Sequence, residues 1–263
     1  MPQPARCSRQ WQCKRSPSVC YFLARRFIRL DIPNAAGIAA LYGSVSSVTF
    51  FASLTLAEKL STPAEPFVPV LVSIMEWGIL VALFIARWRM RRAEATANVP
   101  IREIIIDTLR GRSVILLLGG LCIGYLIGPE SFKSVKPVFQ DSFRGILTLF
   151  LLEMGMVAAR QLRDFFKLGP RLLIFGIGMP IVNGILGICL GTAAGLSVGG
   201  SFVLGAITAS ASYIDAPAAV RATLPQANPS IYLTSSLGIT FPFNLLIGLP
   251  LYYNFAVWLH SVI

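Results

Sequence analysis

Seven stretches of mostly apolar residues run through this chain, at about 36–57, 67–87, 113–128, 143–160, 171–196, 199–220 and 231–259. A helix needs about 20 such residues to cross a bilayer. In hydrocarbon every backbone N–H and C=O has to be paired inside the segment, which makes each stretch a spanning helix. Charged residues are 13% of the chain, where a soluble domain carries about 25%. The expected class is therefore an all-α, polytopic membrane protein with little room for a soluble domain. Two stretches depart from a plain helix. The third is short, and its Gly119, Gly120 and Gly124 predict close helix packing. The last is long and holds Pro242 and Pro250, which predict a kink or tilt.

The segments between the spans set the orientation. The stretch 87–112 carries Arg87, Arg89, Arg91, Arg92, Arg102, Arg110 and Arg112, and 160–171 carries Arg160, Arg163, Lys167 and Arg171. Two spans separate them, so both lie on one side, and the positive-inside rule makes that side cytoplasmic. The loop 58–66 holds Glu58, Lys59 and Glu65, and 129–142 balances Glu130 and Asp141 against Lys133 and Lys136, so both belong outside. The N-terminus is then inside and the C-terminus outside. The net charge of +11 resides in loops, the mark of a membrane protein rather than a nucleic-acid binder.

Residues 1–33 form a basic, atypical N-terminal segment. Its first thirty residues hold seven Lys/Arg and no acid. Two readings stay open: a targeting peptide, which is Arg-rich and acid-poor, or a mis-assigned start. Cys7, Cys13, Cys20, Cys122 and Cys189 lack zinc-finger spacing and a neighbouring histidine, and read as free thiols. No Walker motif, HExxH or CxxC is present, and the single histidine is badly placed for a catalytic triad, so no enzyme is expected and no cofactor is implied.

Sliding the sequence on itself by 166 residues lays ALYGSVSSVTFFASL (40–54) on AITASASYIDAPAAV (206–220). Ser44 meets Ser210, Ser46 meets Ser212, Ala40 meets Ala206 and, further on, Pro63 meets Pro229. Five spans separate the two copies, and an odd number reverses direction across the membrane. This predicts inverted five-helix repeats, a secondary-transporter architecture. On that arithmetic 113–263 holds a complete second repeat, 34–88 holds the last two spans of the first, and 89–112 is a cytoplasmic linker. About seven spans of an expected ten are present, three being absent from the front.

The candidate site follows from the repeats. Transporters of this kind bind substrate near the midplane between discontinuous helices. GSVSSVT (43–49) and ASASYIDAP (209–217) supply small residues, hydroxyls and helix breakers at matching positions. The bland reading, Ser/Ala packing between helices, fits one patch better than two at repeat-related positions. The expected anion ligands are Gly43, Ser44, Ser46, Ser47, Ser210 and Ser212. The expected Na+ ligands are Ser46, Thr49, Ser210, Ser212, Asp215, Glu76 and Asn244. Asp215 is a carboxylate within a span, which is costly and functional by default. Its repeat mate is Thr49, and Asn244 falls on Gly78. Glu153 reads as a third buried carboxylate with a structural role, and His260 as a solvated residue near the outer end.

AALYGSVSSVTF and SASYIDAPAAVRATLPQANPSIYLTSSLGITFPFNLLIGLPLYY resemble the sodium-dependent bicarbonate transporter family of cyanobacteria and other bacteria. The likeness covers about residues 34–259 and is strongest over 199–253. It implies ten spans in two inverted repeats with crossed discontinuous helices, homotrimers, and Na+/HCO3− symport by alternating access. It also implies control of some members by a PII-like cytoplasmic protein. The resemblance places the anion between the broken helices, on Ser44, Ser46, Ser47, Ser210 and Ser212. The residues themselves argue only for a small anion plus a cation. Na+-coupled uptake of another small anion, and an inactive truncated remnant or membrane scaffold, are the alternatives. The expected membrane is the bacterial inner or plasma membrane, or an organellar one if residues 1–33 are a targeting peptide.

Overall fold

The computed structural model describes residues 19–76, 78, 112–138, 142, 145–146, 148–153, 155–157, 159 and 169–262, and these are helical or loop with no strand among them. The helices are α1 (Ile32–Tyr42), α2 (Ser47–Lys59), α3 (Val68–Glu76), α4 (Arg112–Lys136), α5 (Pro170–Ala193), α6 (Val198–Ala209), α7 (Asp215–Thr223) and α8 (Pro229–Val262). Among the described residues three segments are long and apolar enough to cross a membrane: Ile32–Lys59 taken through its break, α5 and α8. The spans expected at 67–87 and 143–160 fall partly outside the described residues, as do the basic stretches 87–112 and 160–171.

The expected span 36–57 is two helices. α1 ends at Tyr42, and Ser46 stands in extended conformation (φ −105°, ψ 114°) as the N-cap of α2. The expected span 199–220 is likewise two helices. α6 ends at Ala209, Ser210 is extended (φ −79°, ψ 163°), and α7 starts at Asp215. Pro217 sits in the first turn of α7, where a missing N–H costs no helical bond. The broken helices lie side by side: α1 packs on α7 and α2 packs on α6. The leading half of each therefore meets the trailing half of the other.

α5 holds this pair from one side. Its glycines let it approach α6 closely: a Cβ on Gly187 would stand 2.9 Å from the Cα of Gly205, and one on Gly191 would stand 2.9 Å from the Cα of Ser201. Small residues at such a contact let helix backbones come together where lipid supplies no hydrophobic drive. α8 closes the other side and runs from Pro229 to Val262 without interruption. Widened π-helical stretches, Thr234–Thr240 and Asn244–Gly248, stand one before each of Pro242 and Pro250. A proline ring collides with the carbonyl four residues back, and a wider turn relieves that collision.

Three further expectations are corrected. Gly119, Gly120 and Gly124 of α4 have nothing within 4 Å of an added Cβ, so they make no close helix contact among the described residues. Within α4 the backbone at Gly128 is non-helical (φ 69°, ψ 171°), a kink at the expected end of the span 113–128. Glu153 is exposed rather than buried among the described residues. His260 is half-buried and bonded, with Nδ1 2.9 Å from the Ala256 carbonyl and Nε2 3.0 Å from that of Leu196. Part of the basic N-terminal segment is built into the core: Cys20, Tyr21 and Ala24 pack with α1, Leu172 and Phe175. Cys20, Cys122 and Cys189 form no disulfide among the described residues, and Cys7 and Cys13 lie outside them.

Candidate functional site

The two breaks meet. The Ser212 N–H donates to the Leu41 carbonyl at 2.9 Å, across the chain from one break to the other. In the opposite direction the Ser46 N–H donates to Ser210 Oγ at 2.8 Å, and that hydroxyl donates to the Ile207 carbonyl at 2.7 Å. Leu41 and Ile207 are 166 residues apart, as are Ser46 and Ser212. The same cross-connection is thus made twice, once directly and once through a serine hydroxyl.

Each break also caps its own trailing helix. Ser46 Oγ accepts the Thr49 N–H at 3.2 Å, and Ser212 Oγ accepts the Ala216 N–H at 3.2 Å. A helix start leaves its first N–H groups without partners in the helix. After these caps, and with the Phe50 N–H on the Ser46 carbonyl, the N–H groups of Ser47 and Val48 head α2 and that of Asp215 heads α7. The positive ends of two helix dipoles converge on one place, which favours an anion there.

A small pocket opens at that place, lined by Val45, Ser46, Ser47, Val48, Ser212, Tyr213 and Ile214. Ser212, Tyr213 and Ile214 lie 166 residues after Ser46, Ser47 and Val48, the spacing at which the sequence matches itself. The free volume there is about 10 Å³, room for about one water. Tyr213 bridges the two breaks: Ser46 Oγ donates to its hydroxyl at 3.1 Å, and its ring stacks edge-on against Phe241 with centroids 5.0 Å apart.

The residues singled out by pattern fall as follows. Ser44, Ser46, Thr49, Ser210, Ser212 and Asn244 are all buried. Gly43 and Ser47 flank the first break. Asp215 is the first residue of α7 and Glu76 the last of α3, and the placement of both side chains lies outside the described residues. Asn244 is engaged at both ends: Nδ2 donates to the Ala209 carbonyl at 3.0 Å, and Oδ1 accepts from the Tyr252 hydroxyl at 3.0 Å. Its repeat mate Gly78 presses on the Gly43 carbonyl, the mate of Ala209, so closely that a Cβ would collide with it.

Three tyrosines escaped sequence reasoning because an aromatic in an apolar run reads as packing. Tyr213 and Tyr252 are described above. Tyr42, the last residue of α1, lies 2.8 Å from Ser235 Oγ and 2.6 Å from Thr240 Oγ1, and Thr240 donates onward to the Gly176 carbonyl at 2.6 Å. This chain of hydroxyls ties the first break to α8 and α5. The signal available for Tyr213 was its repeat mate, Ser47, already in the candidate set.

Among the described residues no cluster of His, Cys, Asp or Glu is arranged to hold a metal ion. A search among curated proteins finds no match to the chain. The profile of the Na+-dependent bicarbonate transporter superfamily matches residues 13–257, nearly the whole chain and including most of the basic N-terminal segment. With paired broken helices and apolar spans beside that match, the chain belongs to the Na+-dependent bicarbonate transporter superfamily, integral membrane transporters rather than enzymes.

Proposed function

We propose that the chain takes up bicarbonate by Na+ symport, binding the anion between the N-termini of α2 and α7. The observation that carries this reading is the convergence of two capped half-helix starts on one pocket built from repeat-related positions. Exposed N–H groups and hydroxyls supply donors to an oxyanion without burying a full positive charge. Na+ is the coupling ion and a second substrate. Its proposed ligands are the oxygens of Ser46, Thr49, Ser210, Ser212, Asp215, Glu76 and Asn244. Coupling has an electrostatic rationale, because carrying an anion into an interior at about −100 mV costs about 2.3 kcal/mol per charge. One accompanying Na+ cancels that cost.

In this reading the inverted repeats rock about the crossing to give alternating access. The twofold recurrence of the 41–212 and 46–210–207 connections, and of the 78–43 and 244–209 contacts, supports the repeat. The homotrimer, the PII-like regulator and the bacterial inner or plasma membrane belong to the same proposal on the family resemblance.

The test is uptake of labelled bicarbonate into proteoliposomes by the Ser46→Ala, Ser212→Ala double variant. The expected result is uptake at background with unchanged amounts of reconstituted protein. Uptake that survives both changes sinks the site, and uptake of a monocarboxylate in place of bicarbonate makes that anion the substrate.

A further inference from the structure

We infer that the Tyr213 phenol is a side-chain donor that reads the oxyanion in this pocket, reaching it from the break opposite Ser46. The inference rests on reading the pocket as an anion site and adds a residue to it. Tyr213 is 8% exposed and lines the pocket between the two half-helix starts. In its contact with Ser46 the serine donates and the phenol oxygen accepts. The phenol's own proton is left without an acceptor among the described residues. A buried hydroxyl normally spends both its donor and its acceptor capacity.

Ser46 is differently placed, since its oxygen already accepts the Thr49 N–H and its proton goes to Tyr213. Ser212 Oγ likewise accepts the Ala216 N–H. Ser47, Ser212 and Tyr213 each keep a hydroxyl proton with no acceptor among the described residues, and of these hydroxyls it is that of Tyr213 that already reaches the opposite break, held by the edge-on contact with Phe241. An oxyanion oxygen is the complementary partner, because a donor to an ionised acceptor forms a short, strong bond. A Na+ ion is not complementary to an O–H proton. Its repeat mate Ser47 heads α2 on the opposite wall, so the anion is gripped by a backbone end on one side and by a phenol on the other.

The experiment uses the full chain in proteoliposomes, with its five cysteines replaced by alanine and Ile214→Cys introduced as a reporter. Ile214 lines the pocket and is 51% exposed. The rate of labelling by a charged thiol reagent is read against bicarbonate concentration, with Na+ present. Tyr213→Phe keeps the ring and removes the proton. It is expected to raise the half-protecting bicarbonate concentration about tenfold or more, with the unprotected labelling rate unchanged. Phe241→Leu loosens the ring contact and keeps the phenol, and is expected to shift that concentration by less than about threefold. An equal half-protecting concentration in Tyr213→Phe overturns the role of Tyr213 and leaves the anion site standing. A shift as large in Phe241→Leu as in Tyr213→Phe assigns the effect to packing and also overturns it. Absence of protection in the reporter chain itself overturns both the inference and the site.

Discussion

Ser46 and Ser212 each do two things at once. Their hydroxyls cap a trailing helix, and their N–H groups reach across to the other break. Losing a cap costs about 1 kcal/mol, too little to unfold a helical bundle. Ser212→Ala alone is therefore expected to keep membrane abundance within about twofold while bicarbonate uptake falls about tenfold or more, as read from labelled uptake normalised to protein on a blot. Asn244 differs because both ends of its amide are used. Asn244→Ala leaves the Ala209 carbonyl and the Tyr252 hydroxyl without partners, at about 1–3 kcal/mol for each stranded group. A fall of several degrees in Tm in detergent is expected, and an unchanged Tm would show that water or a shifted side chain fills the gap. The serines were legible because hydroxyl clusters are out of place in lipid. The double engagement of Asn244 was not, since its partners lie 35 and 8 residues away and only folding brings all three together.

Elements pack here by size more than by hydrophobicity. α5 lies against α6 because Gly187 and Gly191 face Gly205 and Ser201. Gly187→Leu drives a side chain into Thr208 and the α6 backbone. It is expected to abolish the monodisperse peak in gel filtration, an overpacking cost that a tight interface cannot relax. Gly124→Ala in α4, where a Cβ meets nothing within 4 Å, is expected to leave that peak unchanged. Sequence alone ranked these glycines the wrong way round. It marked Gly119, Gly120 and Gly124 for close packing and assigned no contact to Gly187. A glycine's composition signal is the same whether it faces a helix or open space. The breaks, by contrast, were legible, because Gly43, the serine runs and Pro217 act on their own backbone within a few residues.

At the scale of the whole molecule, the pocket has free room for about one water. On the proposed alternating-access reading, binding and release of the anion involve relative motion of the α1–α7 and α2–α6 pairs. A cross-link that prevents this motion should block transport without unfolding the protein. Cysteines at Val48 and Ile214, both lining the pocket, are expected to stop uptake when joined by a short bifunctional reagent and to recover it on reversal. Replacing external Na+ by K+ is expected to reduce bicarbonate uptake to background, because the anion then moves against the membrane potential without its partner. Persistent uptake in K+ would make the transporter uniport-like and remove the cation from the site.

Local chemistry under the constraint of lipid determined a good deal of this protein in advance. Backbone groups in hydrocarbon have no water to bond, so apolar runs must be helices, and runs studded with Gly, Ser and Pro must break. That logic sets the all-helical class, the breaks near 43–46 and 210–214, and the serines that cap them. The match at a spacing of 166 residues was also present in the sequence. Only the tertiary structure decided that the two breaks touch, that Tyr213 closes the space between them and that Asn244 and Gly78 press on matching carbonyls. It also decided that Glu153 is exposed and that the α4 glycines meet nothing within 4 Å among the described residues. These outcomes depend on which helix faces meet. Faces meet through packing of side-chain shapes and hydrogen bonds between residues more than 160 positions apart, and no local pattern encodes them.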